Sequence, residues 1–400
     1  MKKRWLVWMV FGTFIILLDF GGLRAQEEES IYKQVPLFTD AITIIQSEYV
    51  EEVKAKDLIY GALRGMLTSL DKHSQFMDPD EYREMQVETK GEFGGLGIVI
   101  TIKDNHLTII SPLDDTPACR AGIKAGDMIV KIGGESTKDI TLMEAVKKMR
   151  GKPGTDCTLT IMREDEKKLL EFTITRDIIK IKSIKEAKVI EDKIGYIRIV
   201  EFQQRTPRDF EKALNRLEKE GIDSLILDLR NNPGGLLETS VEVADKFIAS
   251  GVIVSTRGRI KSQDQEFVAH LRGTHPDYPI VVLINEGSAS ASEIVAGAVQ
   301  DHNRGILLGT KTFGKGSVQT VVPLADGSAL RLTTAEYFTP HGRCIHGVGI
   351  TPDIVVEVSA RPPEEAEVAI VEEPEVEVYD DQLARAIDLL KGIKVLGTFE

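Results

Sequence analysis

The chain has 400 residues, 42% of them hydrophobic, and a formal net charge of −13. That length leaves room for two or three units with cores of their own and excludes a single small domain. With so acidic a balance no basic stripe is left to neutralise phosphates, so no nucleic-acid partner is expected.

Lys2, Lys3 and Arg4, the apolar run from Trp5 to Leu18, and the small residues Gly21, Gly22 and Ala25 make the three-part pattern of an export signal over residues 1–25. The run is about 14 residues, short of the roughly 20 that a spanning helix needs. Leu23 and Arg24 leave open whether the segment is cleaved or kept as an anchor. The expected location is the periplasm or the outer side of the cytoplasmic membrane. Residues 30–90 place Ile42, Ile45 and Tyr49, then Leu58, Ala62, Met66 and Leu70, at helical spacings and read as a helical region. Residues 91–178 carry short β-branched runs at 98–102, 107–110, 128–132 and 157–162 around one helix at 141–149, which predicts a small β-rich domain. Gly94, Gly95 and Gly97 are expected to form the turn that opens its first strand. Residues 179–357 alternate strands (194–200, 224–229, 280–284) with helices (236–248, 292–300), the pattern of an α/β core with a partly parallel sheet. Residues 358–379 read as a solvated acidic linker, and 380–400 as a final amphipathic helix that docks back or mediates assembly.

Three strings in the α/β region carry the chemistry. In the first, residues 279–300, an apolar strand runs into GSASAS and a helix. A hydroxyl at the start of such a helix stands beside unpaired amides, where developing negative charge is stabilised, although Ser288, Ser290 and Ser292 also suit plain turn and N-cap duty. The second, GTKTFGKGSVQ, nearly spells a phosphate loop, but Gly316 follows Lys315 where Ser or Thr is required, and 317–322 is β-like where a helix should follow. A lysine flanked by Gly314 and Gly316 in an apolar setting can instead be held neutral and accept a serine proton. The third, DLRNNPGGL, closes a strand with glycines, so the amide of Gly234 or Gly235, with that of Ala291, could hold an oxyanion.

Those strings, with LDKHSQFM, GEFGGLGI and YFTPHGRCIHGVGITPDI, stand in the order found in the carboxy-terminal processing proteases, which the chain resembles over nearly its whole length after residue 25. The resemblance implies a crotonase/Clp-protease-like α/β catalytic core with a PDZ domain and helical N- and C-terminal segments. It implies Ser290 as nucleophile, Lys315 as base and Gln319 as the residue orienting the lysine; Gly235 and Ala291 are the expected oxyanion donors. It makes Gly94, Gly95, Leu96 and Gly97 a carboxylate-binding loop whose amides grip a free C-terminus while the next strand pairs with the peptide. Expected partners are therefore protein or peptide substrates with a free C-terminus. An activating partner protein is allowed for, and the helical ends suit a homo-oligomer such as a dimer.

The rivals are a catalytically inactive PDZ scaffold, which would lack Ser290, Lys315 or Gln319, and an acyl-CoA hydratase-like activity, which would need acidic catalytic residues and a coenzyme pocket. Among the seven histidines, His73, His302, His341 and His346 fall near the motifs, but no spacing places them in a triad or a zinc site, and no cofactor or metal is expected. Cys119, Cys157 and Cys344 make no disulfide framework. A Cys119–Cys157 bridge stays open beside the expectation of buried free thiols.

Overall fold

A computed structural model describes residues 31–103, 105–164, 166–357 and 380–397, so the expected leader (1–25) and acidic linker (358–379) lie outside the described residues. The chain divides into two units, Met1–Leu70 and Asp71–Glu400. The described part of the first is a pair of helices, α1 (Ile31–Glu48) and α2 (Ala55–Thr68). No described helix is long and apolar enough to cross a membrane.

The second unit opens with strand β1 (Gln75–Met77), which lies inside the stretch that helical spacing predicts as helix. Phe76 and Met77 are buried there, paired with a strand from the far end of the chain. Helix α3 (Pro79–Lys90) follows, begun by Asp78, which accepts from the amides of Asp80 and Glu81, and by proline in its first turn; Gly91 ends it at φ 68°.

Strands β2 (Glu92–Gly95), β3 (Ile98–Lys103) and β4 (His106–Pro112) lead through helix α4 (Pro117–Arg120) to β5 (Met128–Ile132) and β6 (Glu135–Ser136). Helix α5 (Leu142–Met149) starts on a Thr141/Glu144 capping box, and β7 (Asp156–Met162) and β8 (Leu170–Thr175) complete a sheet of order β3-β4-β5-β7-β8. Its core is Leu107, Ile109, Ile129, Leu159 and Ile161, all buried, with Ala145 and Met149 of α5 laid against them. Strand β9 (Asp177–Lys180) turns back to pair with β2, so Gly94 and Gly95 lie within a strand and not in the expected turn; of the three glycines only Gly97, at φ 80°, has a positive φ. All three cysteines are free, and Cys119 is exposed where a buried thiol is expected.

The remaining elements are β10 (Ile184–Val189), β11 (Ile194–Ile199), α6 (Thr206–Lys219), β12 (Ser224–Asp228), α7 (Leu237–Asp245), β13 (Val252–Gly258), β14 (Gln265–Val268), β15 (Ile280–Ile284), α8 (Ala291–Asp301), β16 (Ile306–Gly309), β17 (Ser317–Pro323), β18 (Ala329–Phe338), β19 (Ile354–Val355) and α9 (Asp381–Gly397). They build a sheet of order β10-β11-β12-β15-β16-β19, parallel throughout except for β10. Every residue of β12 and β15 is buried, as continuous apolar runs require when helices cover both faces. Leu225, Leu227, Val282, Ile284 and Leu307 face α6, α7 and α8, whereas Ile226, Val281, Leu283 and Leu308 face Ala386 and Leu390 of α9. A second, antiparallel sheet, order β1-β18-β13-β14 with β17 beside β18, flanks this core.

Candidate active site

The three strings singled out above each follow one of three adjacent parallel strands. β12 runs into Asn231–Gly235, β15 into Gly287–Ser290 and β16 into Thr310–Lys315, so all three loops open at the carboxyl end of one sheet, where open α/β sheets place their sites. Ser290 is buried and begins α8 at φ 55°, ψ −112°, a conformation that costs a non-glycine residue about 1–3 kcal/mol. Its hydroxyl makes no capping bond, and its amide donates to Glu293 Oε2 at 2.8 Å. The neighbouring serines are used otherwise: Ser288 Oγ donates to Leu229 O (2.8 Å) and Ser292 Oγ to Asn232 O (2.9 Å), tying the β15 loop to the β12 loop.

In the β12 loop a Cβ on Gly234 would stand 2.8 Å from that of Ser290, and one on Gly235 2.1 Å from Phe202 O, so neither position accepts a side chain without movement. The amide of Gly234 is taken by Asn232 Oδ1 at 2.9 Å. Among the described residues, the amides of Gly235 and Ala291 donate to no protein acceptor. Of the two glycines left open by sequence, it is Gly235 whose amide is free.

Lys315 is half-buried at the end of the β16 loop, and its amide donates to the same Glu293 Oε2 at 2.9 Å. No helix follows it; β17 does, so the phosphate-loop geometry is not formed. Burial, and then the guanidinium of Arg331, hold its amine below the usual lysine range, opposed by the Glu293 carboxylate. No hydrogen bond among the described residues joins its Nζ to Ser290 Oγ. Gln319, on β17, donates to Thr333 Oγ1 at 2.8 Å, while its Oε1 is buried without a partner.

Several residues at the site escape sequence reasoning. Glu293 is legible only as the fourth letter of an S-x-x-E capping pattern. Arg331 and Thr333 lie on β18, and Ser74, just before β1, accepts from Thr333 N at 3.1 Å and donates to Asp71 at 2.7 Å. Burial raises the Asp71 carboxyl, but bonds from Ser74 and from the amides of His73 and Ser74 outweigh it and hold the pKa at about 2. The same turn sets His73 close enough to Lys315 that, after burial, the lysine's charge is what most lowers the imidazole pKa. His302 instead bonds Val252 O at 2.7 Å, and the His341 amide donates to Asp301, away from Ser290.

In the PDZ-like sheet, Gly97 carbonyl accepts from Leu113 N (2.8 Å) and Leu96 carbonyl from Ala118 N (2.9 Å), while the amides of Leu96 and Gly97 have no protein acceptor among the described residues. Among the described residues, strand β3 pairs with β4 on one side only, and α5 packs beside it. A cavity of about 800 Å³ extends from Gly94, Phe93 and Arg150, along Met85 of α3, to Arg331.

Residues 193–356 match the model of peptidase family S41, residues 84–162 that of the PDZ domain, and residues 22–81 that of the activating protease CtpB N-terminal domain. The carboxy-terminal-processing protease of Bartonella bacilliformis is 46% identical over 361 residues, 88% of this chain and 83% of that protein. The carboxy-terminal processing protease CtpB of Bacillus subtilis is 35% identical over 379 residues, 92% of this chain and 77% of that one. Among solved structures, a photosystem II D1 C-terminal processing protease is 29% identical with a TM-score of 0.47, covering 80% of this chain and 92% of the other. On the extent and level of the identities to the Bartonella and Bacillus proteins, the chain belongs to the carboxy-terminal processing proteases, serine-type peptidases of family S41 that here carry a PDZ domain.

Proposed function

We propose that this chain is an exported endopeptidase that takes the C-terminus of a protein substrate on its PDZ domain and cleaves the chain through Ser290 and Lys315 by way of an acyl-enzyme. The observation that carries the reading is the convergence of three loops at the ends of β12, β15 and β16, with the amides of Ser290 and Lys315 on one carboxylate oxygen. Ser290 Oγ attacks the scissile carbonyl as Lys315 Nζ takes its proton. The amides of Gly235 and Ala291 hold the oxyanion, and Lys315 returns the proton to the leaving amine. Water, deprotonated by the same amine, then releases the acyl group. The unpartnered Gln319 Oε1 is an acceptor suited to orient the lysine once its amine turns toward Ser290.

On the PDZ side, the free amides of Leu96 and Gly97 suit a carboxylate, and the open edge of β3 suits an added strand. The cavity leading from Gly94 to Arg331 gives the peptide a path toward Lys315. The export pattern over 1–25 supports action in the periplasm or on the outer face of the cytoplasmic membrane. A homo-oligomer built on the helical ends, and an activating partner, complete the proposal.

An unfolded substrate with a free C-terminus is incubated with wild type, Ser290→Ala and Lys315→Ala. Cleavage by wild type alone, slowed when the C-terminus is amidated, is expected. Equal cleavage by all three would sink the assignment of both residues, whereas no cleavage by wild type would leave the scaffold reading.

A further inference from the structure

Building on that reading, we propose that Glu293 is a positioning residue whose buried carboxylate sets the spacing of Ser290 and Lys315 by holding both backbones on one oxygen. The side chain is fully buried. Its Oε2 accepts from Ser290 N (2.8 Å) and Lys315 N (2.9 Å), and its Oε1 accepts from Gly314 N (2.7 Å) and Thr312 Oγ1 (2.5 Å). Thr312 Oγ1 accepts in turn from Ile350 N at 2.7 Å. A helix-capping carboxylate would need only the amide of Ser290, yet three of the four donors come from the β16 loop. A carboxylate offers about four acceptor sites and no donor, and all four are used here. Glutamine has the same shape, but its NH₂ would face an N–H, so at least one of these bonds must break. The carboxylate also faces the lysine electrostatically, against Arg331 on β18; His73 ahead of β1 is a further titratable neighbour of the lysine, itself beside Lys72, Asp71 and His346.

The test measures kcat, KM and the pH profile of kcat/KM for Glu293→Gln and Thr312→Val, with melting curves to establish folding. Folded Glu293→Gln is expected to lose on the order of 10²-fold in kcat with KM little changed, the penalty of a small misplacement of reacting groups. Its acid limb should move to lower pH, because the charge that favours the protonated lysine is gone. Damage to the fold alone would lower the plateau without moving that limb. Thr312→Val keeps the charge and removes one donor, so a loss of roughly several-fold in kcat with an unshifted limb is expected. Wild-type kcat and profile in folded Glu293→Gln overturn the proposal; should that variant not fold, wild-type kcat in Thr312→Val overturns it. Ser290→Ala and Lys315→Ala run alongside: if they stay active the dyad assignment itself fails, whereas inactive controls beside a fully active Glu293→Gln sink only the role of Glu293.

Discussion

Lys315 sits where burial and Arg331 favour a neutral amine while Glu293 favours the charged one. If the neutral amine is the base, replacing Arg331 by Met removes a charge that lowers its pKa, and the acid limb of kcat/KM should move to higher pH. An unmoved limb would mean that Arg331 acts only through its bond to Gln75 Oε1. Stability gives an independent check. A lysine whose folded pKa lies below its unfolded value binds fewer protons when folded, so its penalty is fully present at low pH and fades as pH rises from the folded toward the unfolded pKa. Lys315→Met should therefore melt above wild type at neutral pH, with the gap closing as pH approaches the ordinary lysine range; a constant gap would reject the depressed pKa. The lysine itself is legible in sequence because Gly314 and Gly316 isolate it. Arg331 and His73 are not, because only the pairing of β1 with β18 brings them near it, and no local pattern encodes that pairing.

At the scale of elements, the loop after β12 is held by what glycine lacks. Gly235 has φ 141°, and a Cβ there would overlap the carbonyl of Phe202, a backbone atom that cannot swing aside. Gly235→Ala should displace the amide offered to the oxyanion and cost on the order of 10²–10³ in kcat. Strain should add about 1–3 kcal/mol of lost stability, read by urea unfolding. Full activity would show that this amide takes no part. The buried strands β12 and β15 are readable as continuous apolar runs, and the helix after Ser290 by its Ala-rich face. Strand β1 is not readable, since three residues between helices carry no period. In β18, ALRLTTAEYF, the alternation slips at Thr333–Thr334, and that stretch is not among the strands read from sequence. Gly94 and Gly95 suggest a turn by composition, yet β9, more than eighty residues later, makes them strand.

For the molecule as a whole, the question is what joins the end of the chain to the site. Arg230, next to the Asn231–Gly235 loop, donates to Asp228 (Nη2 to Oδ2, 2.7 Å) and to Asp380 (Nη1 to Oδ1, 2.7 Å), just ahead of α9. Asp228 is fully buried and also accepts from the Tyr196 hydroxyl at 2.7 Å. The same guanidinium thus closes β12, starts the loop beside Ser290 and pins the helix that covers one face of the sheet through Ala386 and Leu390. Sequence shows an amphipathic final helix but not where it docks, because a pair 150 residues apart leaves no spacing to read. Arg230→Met would strand the Asp228 carboxylate in the core, and breaking such a buried pair costs about 3–5 kcal/mol. Asp380→Asn leaves the Arg230–Asp228 pair intact and removes a carboxylate that is 38% exposed, so its effect should be far smaller. Urea unfolding of the full chain separates the two: a large loss in Arg230→Met with a small one in Asp380→Asn locates the energy in the buried half of the cluster. Equal losses would place it instead in the docking of α9, and the helix would then be the clamp that holds the Asn231–Gly235 loop against Ser290.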